Sequence, residues 1–142
     1  MKRRARLGLT LLVVLSLVWA FAPTHNRAEV LPERTKATTY EKKRNKAIAF
    51  KIATYAFGYN KAERSCLLTL WNHESKFDTL ARPLDPKGKP RSTAFGIAQI
   101  LGERSRDPFV QIARGLRYIQ YRPQYRGSAC RAWQFHLRHG WY

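Results

Sequence analysis

An apolar stripe that ends on a carboxylate is the feature that most limits how this chain folds. Ala62, Cys66, Leu67, Leu70 and Trp71 recur at spacings of three and four, which places them on one helical face. Asn60 suits the N-cap of that helix, and Glu63, three residues on, makes an approximate capping box. Glu74 stands four residues after Leu70, so it continues the apolar stripe instead of the solvent face. Desolvation at such a position raises a carboxyl's pKa, which is the condition a general acid needs at neutral pH. The helix ends at Glu74 or Ser75. Pro83, Pro86, Gly88 and Pro90 then forbid regular structure across residues 82–91. That loop either lines a groove or is a plain surface excursion.

The remaining patterns are also helical. Ala47, Ile48, Ile52, Ala53, Tyr55 and Ala56 form an amphipathic stretch that stops near Gly58. The basic cluster Lys42, Lys43, Arg44 and Lys46 leads into it as a solvated helix start. Residues 94–101 read as a short helix, in which Gly96, lacking a side chain, lets the turn approach either the Glu74 helix or a ligand. The Gln99 amide, donor and acceptor in one group, either meets a polyhydroxylated ligand or bonds loop backbone. Asp107 and Pro108 open a further helix as cap and first residue, followed by Phe109, Ile112, Ala113, Leu116 and Ile119 at helical spacing. At 142 residues and 44% hydrophobic content, the chain has room for one modest, mainly α core.

At the amino end, Lys2, Arg3, Arg4 and Arg6 precede an uncharged apolar run over residues 7–22, the layout of a secretory signal. Ala20-Phe21-Ala22 offers a small-x-small cleavage site, but Pro23 would follow the cut, so the alternative is an uncleaved anchor. The run rises about 24 Å as a helix, short of a hydrocarbon core of about 30 Å. Residues 23–40, with Pro23 and Pro32, read as a linker, and residues 41–142 as the domain. The chain is expected to be exported, either into the periplasm or onto the inner membrane facing it. An oxidising compartment would then leave Cys66 and Cys130 as one disulfide or as two buried thiols. His73, His136 and His139 are scattered, and His136 with His139 alone is too weak a pair to imply a metal. No metal and no cofactor are expected. The formal net charge is +18; without residues 1–22, which hold four basic and no acidic residues, it is +14. Such a surface seeks polyanions, and export removes intracellular nucleic acid from that list in favour of wall polymers.

Glu74-Ser75-x-Phe77, then Ala81, then Ser92-Thr93-Ala94-x-Gly96-Ile97-Ala98-Gln99 resembles the lytic transglycosylase family, in its short phage-type form. In that family a catalytic Glu followed by Ser precedes a Gly-hydrophobic-x-Gln motif after a loop. The resemblance runs over residues 45–142, and the loop within 82–91 is longer than the family's pattern. It implies a lysozyme-like (transglycosylase SLT) domain behind a signal peptide or anchor, cleaving the MurNAc-GlcNAc β-1,4 bond of peptidoglycan glycan strands. Glu74 would protonate the leaving oxygen and then, as a carboxylate, take a proton from the sugar's hydroxymethyl group, leaving a 1,6-anhydromuramoyl end. Ser75, Gly96 and Gln99 would orient the sugar or the acid, and Tyr118 would face the groove or the core. The family's Ala-Tyr-Asn motif, which supplies a groove tyrosine in larger members, is absent, so Tyr125 or Trp133 would substitute. Asp78, four residues after Glu74, reads as solvated or capping; as a second catalytic carboxylate it would instead mark a hydrolytic lysozyme. The third alternative is a membrane-anchored basic protein that grips glycan or nucleic acid without cutting it.

Overall fold

The computed structural model describes Arg34 and residues 36–142. The expected signal and most of the linker lie outside the described residues. The order of elements is α1 (Thr39–Tyr55), α2 (Lys61–Glu74), β1 (Ala94–Phe95), β2 (Ile100–Leu101), α3 (Pro108–Tyr121) and α4 (Ala129–His139), a mainly helical fold. Thr38 starts α1 with a full capping box: its hydroxyl accepts the Glu41 N–H, and the Glu41 carboxylate accepts the Thr38 N–H at 2.7 Å. The first helix therefore begins inside the stretch read as linker. Asn60 caps α2, accepting the Glu63 N–H at 2.9 Å. Glu63 does not complete a box there. Its carboxylate crosses to the start of α4, where it accepts the Ser128 hydroxyl at 2.8 Å and the Cys130 N–H at 3.1 Å. Asp107 and Pro108 open α3 as the sequence predicts.

Residues 94–101 are a hairpin and not the predicted short helix. Ala94 pairs with Leu101 and Phe95 with Ile100, antiparallel. The turn needs left-handed backbone at Gly96, φ 76°, and at Gln99, φ 49°. At Gly96 a side chain would run into the Gln111 carboxamide, so the close approach seen here is to α3. Gln111 holds the turn from within the core: its Oε1 accepts the Ile97 N–H at 2.9 Å, and its Nε2 donates to the Thr79 and Ser105 carbonyls. The proline-rich loop doubles back on itself, with Leu84 bridging Pro90 and the Asp85 carboxylate accepting the Lys87 and Lys89 N–H groups.

Trp71 is the hub of the core. It is fully buried with Leu67, Leu70, Ile97, Ile112, Leu116 and Ile119, and burying each such aliphatic side chain stabilises the fold by roughly 1.5–3 kcal/mol. Gly115 lets α3 lie against the Trp71 ring, where a side chain would strike both that ring and Ala98. The indole N–H donates to the Tyr142 hydroxyl at 2.8 Å, and that hydroxyl donates to the Ala98 carbonyl at 2.7 Å. Cys66 and Cys130 are joined in a disulfide that links α2 to α4, with Cα atoms 4.9 Å apart. Among the described residues no helix is long and apolar enough to cross a membrane.

Candidate active site

Seven side-chain carboxylates fall among the described residues, and six are committed to backbone N–H groups. Glu41 accepts the Thr38 N–H in the α1 capping box, Asp107 caps α3, Glu63 accepts the Cys130 N–H at the start of α4, and Asp85 closes its loop. Glu103 accepts the Arg104 and Ser105 N–H groups and the Arg114 guanidinium. Asp78, expected to be solvated or capping, is buried: it accepts the Ala37 and Leu80 N–H groups at 2.9 and 2.8 Å and pairs with the Lys42 ammonium at 3.2 Å. A buried carboxylate survives only with such partners, and here they come from the segment before α1 and from α1 itself. Glu74 is the exception. It has no backbone donor, its side chain is only 15% exposed, and burial raises its pKa to about 7. A carboxyl in that state carries a transferable proton close to neutrality.

Several contacts fix where this acid points. The Ser75 hydroxyl donates to the Ile97 carbonyl at 2.7 Å, tying the end of α2 to the hairpin. The chain then passes through left-handed backbone at Lys76, φ 55°, and Phe77, φ 61°. Such conformations cost of order 1–3 kcal/mol each outside glycine and persist where surroundings enforce them. At Phe77 the ring is buried edge-on to Trp71, and the carbonyl accepts from Asn45 Nδ2 at 3.0 Å. From α4, His136 Nδ1 comes within 2.9 Å of Glu74 Oε1. The two atoms are not aligned for a hydrogen bond, and neither has another partner. Burial and the neighbouring His73 hold the His136 pKa below its ordinary value. His136 stacks on Trp133 at 5.4 Å and 15°, and His73 lies 5.0 Å from the same indole.

No family model, curated protein or solved structure matches the chain.

Of the residues singled out from the sequence, Glu74 and Ser75 come together with the hairpin, while others have different work. Gln99 donates its amide hydrogens to the Gly96 carbonyl at 2.7 Å and the Ala81 carbonyl at 3.2 Å, which is the loop-backbone role. Gly96 is buried against α3. The Tyr118 hydroxyl donates to the Tyr142 carbonyl, and the Arg122 guanidinium lies 4.6 Å over its ring. Tyr125 has no exposed surface: its ring packs among Tyr118, Phe135 and Tyr142, and burial pushes its phenol up to about 12. It therefore lines no groove. Trp133 is partly exposed and lies against His73 and His136, the latter being the residue that approaches Glu74. His136 is the residue the sequence reading missed. Its spacing from His139 is too weak to imply a metal, and the i, i+3 step from Trp133 to His136 is the signal that the sequence offers for it. Among the described residues no three of His, Cys, Asp and Glu gather as a metal site would require.

Two clefts lie elsewhere. One, of about 240 Å³, is lined by Arg34, Arg44 and Arg106 with the capping carboxylate Glu41. The other, of about 440 Å³, is lined by Arg126, Arg131 and Arg138 with Gln124, Gln134 and Phe135. Neither contains Glu74. Neither is lined by a carboxyl raised toward neutrality; their guanidinium forks suit carboxylate or phosphate groups.

Proposed function

We propose that this chain is a lysozyme-like lytic transglycosylase that cuts peptidoglycan glycan strands, with Glu74 as its single acid and base. Glu74 gives its proton to the glycosidic oxygen as the bond to the anomeric carbon breaks. The carboxylate then takes the proton of the muramoyl C6 hydroxyl as that oxygen bonds to the same carbon. The chain is shortened, an anhydro ring closes, Glu74 recovers its proton and no water is consumed. The observation that carries this reading is the isolation of Glu74 beside an Asp78 already occupied by Lys42 and two backbone donors. Hydrolytic glycosidases flank the bond with two carboxylates, and Asp78 in this arrangement is spoken for. The Glu74-Ser75 and Gly96-Ile97-Ala98-Gln99 motifs support the same family.

Mass spectrometry of fragments released from purified peptidoglycan tests the reading. Anhydro-ended muropeptides, lighter by one water than reducing ends, are the expected product. Reducing ends alone would support the hydrolytic lysozyme. Retention of the protein on the wall, lost with salt and without any fragment released, would support the basic binding protein, which the arginine-lined clefts favour.

We also propose that the chain is exported, on the strength of its basic amino end, its apolar run and the disulfide. A reporter active only outside the cytoplasm, fused to residues 1–40, should be active. A reporter left wholly inside would remove the periplasmic assignment.

A further inference from the structure

We propose that His136 is the positioning residue of Glu74, the two acting as a pair that shares its protons. The inference rests on the acid–base role given to Glu74 above. It starts from two buried polar atoms, Nδ1 and Oε1, which face each other at 2.9 Å on different helices with no other partner. A slight tilt of the imidazole turns that approach into an Nδ1–H donation to Oε1 and leaves Oε2 to carry the acidic proton. Catalytic hydrogen bonds commonly tighten in this way only when substrate is bound. The ring cannot swing freely, because it is stacked on Trp133 at 15° and meets His73 edge-on at 5.9 Å. After the proton leaves, the same N–H supports the carboxylate that must act as base.

This geometry makes the charge on His136 matter. Neutral, it orients the acid; protonated, it weakens Glu74 as base and repels the positive charge that develops on the sugar. The pair then titrates as a unit with two apparent values. Burial raises the carboxyl to about 7 and lowers the imidazole from its ordinary value. Activity should therefore fall on the alkaline side as Glu74 ionises and on the acid side as His136 gains its proton. The other titratable groups around the pair are His73 on α2, Tyr118 on α3, and Tyr125 and Tyr142, whose phenols burial pushes up. Arg122 lies over Tyr118, and His139 stacks on Phe135. His73, edge-on to His136, is thus the neighbour that the test must separate from it.

The test combines a substrate-free titration with kinetics. Carbon-13-labelled glutamate would be followed by NMR from pH 4 to 9, with the Glu74 carboxyl assigned by its loss in Glu74→Gln. Two inflections are expected in the wild type and in His73→Asn, and one in His136→Asn. In kinetics, His136→Ala should lower kcat on the order of 10- to 100-fold through misplacement of the acid. His136→Asn, which keeps a donor near the Nδ1 position, should restore most of kcat and abolish the acid limb. Should either variant fail to melt cooperatively, His136→Gln serves in the same titration. Two inflections surviving in a folded His136→Asn, or a lower inflection lost in His73→Asn, would overturn the pairing. An active Glu74→Gln would instead overturn the acid–base role while leaving the titration result standing, so the two failures are distinguishable.

Discussion

Glu74→Gln should lower peptidoglycan cleavage by ~100- to 10,000-fold or more, since general acid–base assistance is worth that range for one step and in the proposed mechanism one residue serves two. Binding to insoluble peptidoglycan should survive, because the basic surface is untouched. Stability should move the other way. The Glu74 pKa is raised from 4.5 to about 7 in the folded protein, so between those values the folded chain holds a proton that the unfolded chain has released. Stability contributed by this group falls as pH rises through that window, and the loss is complete above about 7. Glutamine has no such loss, so the variant should melt higher than the wild type at pH 8 and alike near pH 4. Asp78→Asn separates the rival mechanism. It strips the Lys42 ammonium and two N–H donors of their carboxylate and should destabilise the fold by about 1–3 kcal/mol, with kcat of the folded fraction changed only a few-fold. A folded Asp78→Asn as inactive as Glu74→Gln, with reducing-end products from the wild type, means a two-carboxylate hydrolase. Full activity in Glu74→Gln would falsify the central assignment.

Loss of the Cys66–Cys130 bridge should be the largest stability effect. The two residues are 64 apart in sequence, and the chain-entropy account gives a closed loop of that length about 4 kcal/mol. Cys66→Ala with Cys130→Ala, compared with the wild type in urea, should show a drop of that order with the helical signal retained at zero denaturant. The Glu63 carboxylate still holds the start of α4 in the variant, which keeps the two helices in register. Two titratable thiols in the exported, denatured wild type would count against the bridge, as would a loss below about 1 kcal/mol.

What the sequence disclosed and what it hid divide by how far the deciding contact lies along the chain. The stripe of α2, the Asn60 cap and the Asp107-Pro108 start depend on neighbours three or four residues away, and each is where local spacing puts it. The step from Leu70 to Glu74 was sufficient to expect a desolvated acid. The hairpin at 94–101 is hidden because periodicity in so short an apolar run does not distinguish helix from strand. Its left-handed turn is held by Gln111, 14 residues beyond Ile97. Asp78 looked like a surface group because its donors, Ala37 and Lys42, precede it by a whole helix and more. Glu63 looked like a local box until α4 offered it two donors from 65 and 67 residues away. Tyr125 is a groove candidate only through the family's missing Ala-Tyr-Asn motif, and Tyr118, Phe135 and Tyr142 enclose it.

The disulfide has a mechanical meaning as well. Cys66 precedes Glu74 by eight residues on α2, about 12 Å of helix, and Cys130 precedes His136 by six on α4, about 9 Å. Both helices run from the bridge toward the acid, so they form two arms from one pivot. An angular error of about 3° at that pivot displaces either tip by about 0.5 Å, the tolerance within which a catalytic group must be held. If Glu74 is the proton donor proposed above, its placement depends in part on a covalent hinge pin some two helical turns away.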